Sequence, residues 1–335
     1  MPFSLISLIV NTYFKFRGTN MIKKAIAPAI AAALAIACIV VFFVTGYTFN
    51  QNQLDTLLIL GIVCGGSILY CFIVGEISGN NSQMDKLWSI LPAVYAWIIA
   101  AKGNLQPRLV IMALLVTLWG IRLTFNFARK GAYRLKFWEG EEDYRWAILR
   151  KNKYLSSRIA WMLFDLFFIS IYQNVLILLT TFPGLVAMAY ETSLNWLDFV
   201  AGGFFLLFLF IETVSDEQQW KFQSIKHAML DEGRNLEDLP APYNKGFNTV
   251  GLWNRARHPN YLGEQGNWFA YYFFSVAAGA FVFNWSLLGS MLLILLFFGS
   301  TVFAESISKS KYPLYADYCE KVSCYIPWKA YEKRK

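Results

Sequence analysis

The sequence GLWNRARHPNYLGE, residues 251–264, leads straight into the apolar aromatic run QGNWFAYYFFSVAAGAFVF, residues 265–283. Pro259 disfavours helical geometry at His258, and Asn260 is a favoured N-cap, so a helix is predicted to begin at the next residue and to continue to the end of the run. That length is sufficient to cross a bilayer. The stretch therefore predicts a membrane helix that begins in a dense polar cluster.

Polar residues follow one face of this predicted helix. Four-residue spacing places Asn260, Glu264 and Trp268 on the same side. A carboxylate in the first turn of a membrane span is costly, so it usually faces a cavity or a partner such as Arg257 or His258. The simpler alternative is that Asn260 only caps the helix and the arginines lie among lipid headgroups. The stripe marks a candidate site.

The composition is that of a membrane protein. The chain has 335 residues, of which 56% are hydrophobic and only 16% charged, whereas soluble proteins carry about 25% charged residues. The net charge of +8 does not indicate nucleic-acid binding, because the lysines and arginines lie in short stretches between apolar runs. The five cysteines and two histidines show no metal-binding spacing, so no metal site is predicted.

Eight apolar stretches have about the length of a membrane span. They fall at residues 25–46, 54–75, 86–101, 107–128, 158–181, 195–215, 261–283 and 285–304. The third is short for a hydrocarbon core of about 30 Å. We therefore expect an all-α polytopic bundle of about eight spans, with seven to nine allowed. Residues 1–20 are interpreted as an upstream extension, because a typical first-span pattern starts at Met21.

The orientation follows from the basic residues that flank the spans. The connection 129–157 holds eight lysines and arginines, whereas 182–194 holds none. By the positive-inside rule, 129–157, the loop 217–260 and the carboxyl-terminal tail face the cytoplasm. Lys102 and Arg108 are exceptions, since this topology places them outside. The protein is expected in a bacterial inner membrane or the endoplasmic reticulum.

Three other spans carry polar residues at helical spacing near their predicted cytoplasmic ends. The stripes are Glu212, Asp216, Gln219 and Gln223 on one span, Arg122, Asn126 and Arg129 on another, and Asp165 with Tyr172 and Gln173 on a third. Each alone could be a hydrogen-bonded seam between helices. Together they favour a cytoplasmic cavity. Because arginine forks match phosphate while carboxylates and amides suit ribose hydroxyls and a carboxamide, the set fits a phosphorylated dinucleotide.

Several motifs resemble those of a known family. They are Asp85-x-x-Trp88-Ser89, Gly131-Ala132-Tyr133-Arg134, Glu142-Asp143-Tyr144-Arg145-Trp146, Glu212-x-x-x-Asp216-x-x-Gln219, Arg257-His258-Pro259-Asn260-Tyr261-x-Gly263-Glu264 and Ile326-Pro327-Trp328. In this order they resemble the DUF1295 proteins, within the steroid 5-alpha-reductase and sterol-reductase group. The resemblance divides the chain into an amino-terminal extension with the first membrane helices, residues 1–80, and a reductase-like transmembrane domain, residues 81–335.

The resemblance implies a membrane reductase of lipid metabolism. Such an enzyme uses NADPH to saturate a carbon–carbon double bond conjugated to a carbonyl, in a lipophilic substrate taken from the bilayer. In the family, the matching residues contact the cofactor, which implies the same role for Asp216, Asn260 and Glu264 and, on the fourth span, Arg122. Polar residues beside them are expected in the same cofactor site, namely Asn126, Gln219, Arg257, His258 and Tyr261.

One position departs from the family pattern. Steroid 5-alpha-reductases have a carbonyl-polarising tyrosine three residues before the arginine of the fourth span, and this chain has Trp119 there. An indole N–H can donate a hydrogen bond but is no practical proton source. Asp85, Tyr95 and Tyr133 are the expected replacement donors, with Glu264 as a further catalytic candidate. Three tryptophans are expected to line the substrate slot, namely Trp88, Trp119 and Trp268.

Two other classes of function fit parts of the pattern. Isoprenylcysteine carboxyl methyltransferases and phospholipid methyltransferases have a similar Arg-His-Pro-x-Tyr-x-Gly run and bind S-adenosylmethionine (SAM). Because SAM has no phosphate, it has less need for several arginines, and Asn260 with Glu264 favours the reductase. A transporter or lipid-binding scaffold is less favoured, because the ionisable residues gather at one face instead of lining a path across the bilayer.

Overall fold

A computed structural model describes residues 21–327, 330 and 331, with the side chains of 21–25 left out. The predicted upstream extension, residues 1–20, and Trp328 of the tail motif lie outside the described residues. Within them the regular structure is helical, and β pairing is limited to an isolated parallel bridge between Ala256 and Ser323. The expected all-α bundle is confirmed.

The α-helices are numbered in chain order. They are α1 (Met21–Val44), α2 (Gln51–Ser78), α3 (Gln83–Trp88), α4 (Leu91–Lys102), α5 (Pro107–Ala128), α6 (Tyr144–Arg150), α7 (Arg158–Phe164), α8 (Gln173–Thr180), α9 (Phe182–Ala187), α10 (Trp196–Asp231), α11 (Pro259–Ala278), α12 (Leu288–Lys311) and α13 (Tyr315–Lys321). A π-helical segment, Asp165–Tyr172, joins α7 to α8.

Six helical stretches of the described chain are long and apolar enough to span a membrane. They are Ile26–Val44, Gln51–Ser78, Pro107–Ala128, Arg158–Thr180, Trp196–Asp231 and Trp285–Lys311. They make the protein a multi-pass integral membrane protein and match six of the eight predicted spans. The third predicted span falls short of this length, because α4 has only 12 residues. The seventh predicted span corresponds to α11, which has 20 residues but is too polar to count among the helices that can span a membrane.

The boundaries of α11 differ from the predicted ones. The helix begins at Pro259 and not at the residue after Asn260, because a proline fits the first helical position, where no backbone donor is needed. Asn260 therefore lies within the helix and is not its cap. The helix ends at Ala278 and not at residue 283, because Gly279 takes a φ of +119°, which a side chain would strain.

The chain folds into two compact units, and the first holds residues 21–202 and 269–293 of the described chain. In this unit α4 packs on α5, and α2 packs on the π-helical segment. A capping box starts α2, since Asn50 Oδ1 accepts from the Gln53 amide at 2.8 Å and Gln53 Oε1 accepts from the Asn50 amide at 3.1 Å.

The first unit also explains why a basic residue lies on the predicted outer side. The guanidinium of Arg108 forms two hydrogen bonds with the Asp198 carboxylate, Nε to Oδ1 at 2.7 Å and Nη2 to Oδ2 at 2.9 Å. Both side chains are 2% exposed. Because the paired charge is neutralised inside the unit, Arg108 does not act as a free topology signal.

The second unit holds residues 203–268 and the described residues from 294 onward. The loop predicted to start at residue 217 is instead helical as far as Asp231, so α10 is 36 residues or about 54 Å long, more than the hydrocarbon core requires. A buried aromatic cluster of Phe247, Tyr315 and Tyr318, with Val322, fixes α13 in this unit. The helical extension positions the polar stripe of α10.

Candidate functional site

A close approach of α10 and α11 builds the site in the second unit. A Cβ atom on Gly263 would lie 2.5 Å from the Glu212 Cβ and 2.8 Å from the Phe208 carbonyl oxygen, and one on Gly266 would lie 2.3 Å from the Phe208 ring. Real side chains do not come that close, so the two glycines allow the helix backbones to meet. The polar stripes of the two helices therefore face each other.

Two polar side chains meet at this contact, and a third lies nearby on α10. Asn260 Nδ2 donates to Asp216 Oδ1 at 3.1 Å, and Gln219 follows Asp216 by about one turn of α10. The other amide atom of Asn260, Oδ1, is buried without a hydrogen-bond partner, as is Gln219 Oε1. A buried acceptor without a donor is costly, which makes these oxygens candidates for donors of a bound ligand.

A second polar layer lies further along the same helices. Asn267 Nδ2 donates to Glu212 Oε2 at 3.0 Å, and Trp268 Nε1 donates to Glu264 Oε1 at 3.2 Å. Glu212, Glu264 and Asn267 are all buried, and Asn267 Oδ1 has no hydrogen-bond partner. The predicted face of Asn260, Glu264 and Trp268 is thus formed as expected.

Asn267 did not emerge from the sequence analysis. It follows Asn260 by seven residues and Glu264 by three, so helical periodicity places it on the same stripe. This spacing could have identified it.

Arg257 and His258 are engaged by a single buried carboxylate. Glu305 Oε1 lies 2.6 Å from Arg257 Nε and 3.2 Å from His258 Nε2, and the Arg257 and Glu305 side chains are 7% and 9% exposed. Burial alone would lower the pKa of the Arg257 guanidinium, yet the charge of Glu305 holds this pKa above its ordinary value. Tyr261 stacks on the His258 ring, with centroids 5.1 Å apart.

The same arginine fastens the carboxyl-terminal tail to the motif. Arg257 Nη1 donates to the carbonyl oxygens of Cys319, at 3.1 Å, and Val322. The backbone runs alongside, since the amides of Arg257 and His258 donate to the carbonyls of Ser323 and Cys324 at 3.0 and 2.9 Å. Sequence analysis predicts a cofactor-binding role for the side chains of Arg257 and His258, whereas in the structure they contact Glu305 and hold the tail in place.

One group of described residues has the composition of a metal site. Ligand atoms of His258, Glu305 and Cys324 lie within 4.8 Å of one another. However, the Glu305 carboxylate already contacts the Arg257 guanidinium, and Lys309 Nζ lies 3.9 Å from its second oxygen. Two cations at one carboxylate disfavour a divalent ion, so the group does not support a metal centre.

A different polar cluster in the first unit contains two of the predicted proton donors. Trp146 Nε1 donates to Asp85 Oδ2 at 3.0 Å, and Tyr133 Oη donates to the carbonyl of Lys86 at 2.9 Å. Lys86 Nζ in turn donates to the carbonyls of Phe137 and Glu139, at 2.6 and 2.7 Å. Three motifs that are far apart in the sequence, at residues 85–89, 131–134 and 142–146, therefore meet around α3.

Two acids of this cluster have opposite pKa shifts. Burial raises the pKa of Asp85, and the nearby charge of Asp143 raises it further. Burial would also raise the pKa of Asp143, but the charge and hydrogen bonds of Arg145 lower it overall. Asp85 is therefore the carboxyl group of the pair that retains a proton more readily, as a proton donor requires. Burial also raises the pKa of Tyr133.

The remaining predicted residues of the first unit lie on or near α5. Arg122 is half-buried, and Asn126 is buried one turn later, with its Oδ1 accepting from Arg129 Nε at 3.0 Å and Nη2 at 2.7 Å. Trp119 is completely buried, and Trp88 is half-buried at the end of α3. Their roles toward cofactor and substrate stay predictions.

The spans and the buried polar residues define a multi-pass membrane protein with a polar site among its helices. The chain belongs to the family described as protein of unknown function (DUF1295), which it matches over residues 71–322. This confirms the resemblance that the motifs indicated, and membership of the family indicates a membrane enzyme.

A yeast protein is similar over most of its length. The chain is 34% identical over 291 residues to "Uncharacterized protein C594.04c" of Schizosaccharomyces pombe, which covers 84% of this chain and 81% of the yeast protein. No solved structure matches the chain. The family assignment thus rests on sequence.

Proposed function

We propose that the protein is a membrane reductase that uses NADPH to saturate a carbon–carbon double bond conjugated to a carbonyl in a lipid-like substrate. The observation that carries the proposal is the buried acceptor oxygen of Asn260 where α11 meets Asp216 of α10, with a second buried acceptor on Gln219, about one turn further along α10. Such oxygens can accept hydrogen bonds from ribose hydroxyls and from a carboxamide N–H₂ group. When bound, NADPH would supply a hydride.

The structure changes which arginine is assigned to phosphate in this proposal. Arg257 is occupied by Glu305 and by two backbone carbonyls, so its fork has little capacity left for a ligand. Arg255, two residues earlier, has an exposed side chain. We therefore assign phosphate recognition to Arg255 and a structural role to Arg257.

The proton in the proposed reaction is assigned to Asp85. Its raised pKa favours the protonated form, and the Trp146 indole fixes the orientation of the carboxyl group. Tyr133 is the second candidate, but its hydroxyl proton is already directed at the Lys86 carbonyl. Glu264, which pairs with Trp268 inside α11, is assigned to holding the cofactor.

Ligand-dependent thermal stability tests the proposal. The purified protein in mild detergent is heated with NADPH, NADH or SAM. A ligand that binds only the folded state adds about 2.7 kcal/mol to the free energy of unfolding at a hundredfold excess over Kd, and so raises the unfolding temperature. We expect the largest shift with NADPH. A shift with SAM alone would replace the reductase by a methyltransferase, and no shift with either nucleotide would reject the cofactor site.

A matched pair of variants locates the site. Asn260→Ala removes an amide beside Asp216, whereas Gln265→Ala removes an amide whose Nε2 bonds only within its own helix, to the Tyr261 carbonyl at 2.9 Å. We expect the NADPH shift to disappear in the first variant and to persist in the second. Glu264→Ala should also abolish it while leaving a folded, extractable protein. An unchanged shift in Asn260→Ala would exclude this cluster from the site.

A further inference from the structure

A groove between α4 and α5 borders the cluster around α3 at Ser89 and otherwise lies outside the clusters described above. It has a volume of about 780 Å³ and belongs entirely to the first unit. Its sides are formed by apolar residues that remain exposed, including Val94 and Trp97 on α4 and Ile121 and Phe125 on α5. Its volume is that of a small-molecule site, which typically measures about 300–1,000 Å³. The groove is therefore large enough for a lipid-sized ligand.

The groove uses the face of α5 opposite to the predicted cofactor residues. Thr117, Gly120 and Thr124 line it, whereas Arg122 and Asn126 do not. At 3.6 residues per turn, Thr124 points about 160° away from both of these residues around the helix. Because α5 is one of the membrane-spanning helices, the exposed sides of the groove face the bilayer. It is a separate site from the one proposed for NADPH.

One end of the groove is polar, and its lining is uncharged. Ser89 Oγ and Thr124 Oγ1 lie 2.7 Å apart at this end. The two hydroxyls share one hydrogen bond, and Ser89 Oγ also lies 3.5 Å from the Lys86 carbonyl oxygen, which is beyond the usual length of an O–H···O bond. The pair therefore keeps donor and acceptor capacity for a ligand oxygen. A second polar pair, Trp97 Nε1 and Thr117 Oγ1, is joined at 3.0 Å across the two helices. No charged residue of the described chain lines this groove.

The dimensions fit a lipid that lies along one leaflet. From Ile90 to Ala101 the lining extends over 11 residues, about 16 Å along a helix, and one leaflet of a hydrocarbon core is about 15 Å thick. Thr124 is four residues from the end of α5, about 6 Å, at the end that precedes the basic connection 129–157. The hydroxyl pair thus lies near the membrane interface, where the polar end of a lipid lies.

We propose that this groove binds an uncharged lipid with an extended apolar body and one oxygen function, a hydroxyl or a carbonyl, at the Ser89–Thr124 end. A charged headgroup would have no counter-ion there, and a pure hydrocarbon would leave the hydroxyl pair without a ligand partner. A resident bilayer lipid and the substrate of the proposed reductase share this chemistry. The site itself does not depend on the proposed reaction.

Photolabelling tests the groove directly. The full-length protein in lipid nanodiscs is labelled with a diazirine-bearing long-chain alcohol and, separately, with the matching hydrocarbon, and the labelled peptides are identified by mass spectrometry. We expect saturable labelling of α4 and α5 by the alcohol, at least fivefold above the hydrocarbon. Equal, non-saturable labelling by both probes would show ordinary contact with bulk lipid and overturn the proposal.

Variants separate the groove from its surroundings. Ala93→Phe fills the half-buried floor of the groove, while Leu118→Phe adds the same ring at a 50% exposed position of α5 outside it. Labelling by the alcohol should fall at least fivefold in the first variant and stay unchanged in the second. Thr124→Val, which keeps the side-chain shape, should remove the preference for the alcohol. Unchanged labelling in Ala93→Phe or an unchanged preference in Thr124→Val would contradict the proposal.

Turnover distinguishes the two sources of the lipid. If the occupant is the substrate, Ala93→Phe should raise the KM for a long-chain enone at least fivefold, and the enone should compete with the alcohol for labelling. If the occupant is a bilayer lipid, labelling is lost while KM stays unchanged. If the protein shows no NADPH-dependent turnover, the labelling experiment still tests whether the groove binds a lipid. Failure of the reductase proposal can therefore be told apart from failure of the lipid site.

Discussion

The buried pair of Arg257 and Glu305 gives a prediction that separates structure from cofactor binding. The variant Glu305→Gln leaves the guanidinium, 7% exposed, without its counter-charge. Breaking a buried ion pair from one side costs about 3–5 kcal/mol. With a Tm change of about 2–4 °C per kcal/mol in domains of 150–250 residues, the apparent Tm should fall by on the order of 10 °C.

The pair also predicts a pattern across variants. Arg257→Met should destabilise the protein by a similar amount, whereas Arg257→Met with Glu305→Gln should lose clearly less than the sum of the two, because no buried charge is left unpaired. The recovery should be incomplete, since the carbonyls of Cys319 and Val322 lose their donor. Thermal unfolding in one detergent, followed by near-ultraviolet circular dichroism, measures all three variants.

Cofactor discrimination completes this test, with Arg255 as the matched control. Arg257→Met should weaken the stabilisation by NADPH and NADH equally, because its fork contacts only protein groups. Arg255→Met removes an exposed side chain, so it should leave Tm almost unchanged and weaken NADPH more than NADH. An unchanged Tm in Arg257→Met together with a selective loss of NADPH binding would refute the structural assignment of Arg257.

Three further outcomes follow from the site. Gly263→Ala should overpack α10 against α11, which should cost about 1–3 kcal/mol of stability and weaken NADPH binding. Thermal unfolding with and without NADPH measures both effects, and wild-type values would contradict the close approach of the helices. Turnover should fall at alkaline pH as Asp85 loses the proton that its raised pKa favours, and Asp85→Asn should abolish turnover at every pH. Burial and the charge of Glu305 raise the pKa of the Cys319 thiol to about 12. In a Cys324→Ser variant, which removes the neighbouring thiol, alkylation of Cys319 at pH 8 should therefore be slow, and adding Glu305→Gln should accelerate it.

Hydropathy predicted the membrane helices well wherever one long run determined the outcome. It overestimated α4, because a turn at Ser89 and Ile90 interrupts the predicted span 86–101, so that only the 12 residues Leu91–Lys102 form this helix. It could not reveal the π-helical segment Asp165–Tyr172, whose hydrogen-bond pattern leaves no periodic signal in so short a stretch. Hydropathy placed the end of the sixth span at residue 215, but the polar residues beyond it continue α10 to Asp231, outside the bilayer.

The candidate site was predictable only within each helix. Helical spacing correctly placed Asn260, Glu264 and Trp268 on one face. It carried no information on Glu305, which is 48 residues from Arg257 and becomes its partner only through tertiary packing. A long-range ion pair of this kind leaves no local pattern, so the sequence analysis assigned the arginine to phosphate.

The signature at residues 257–264 therefore combines two kinds of constraint in eight positions. Arg257 and Gly263 are explained by packing alone: one fastens the tail and the other admits the neighbouring helix. Asn260 is not, because its Oδ1 is buried beside Asp216 without a donor, which packing would select against. The proposed cofactor would supply the missing donor, so Asn260 is the position at which the cofactor proposal is most directly tested.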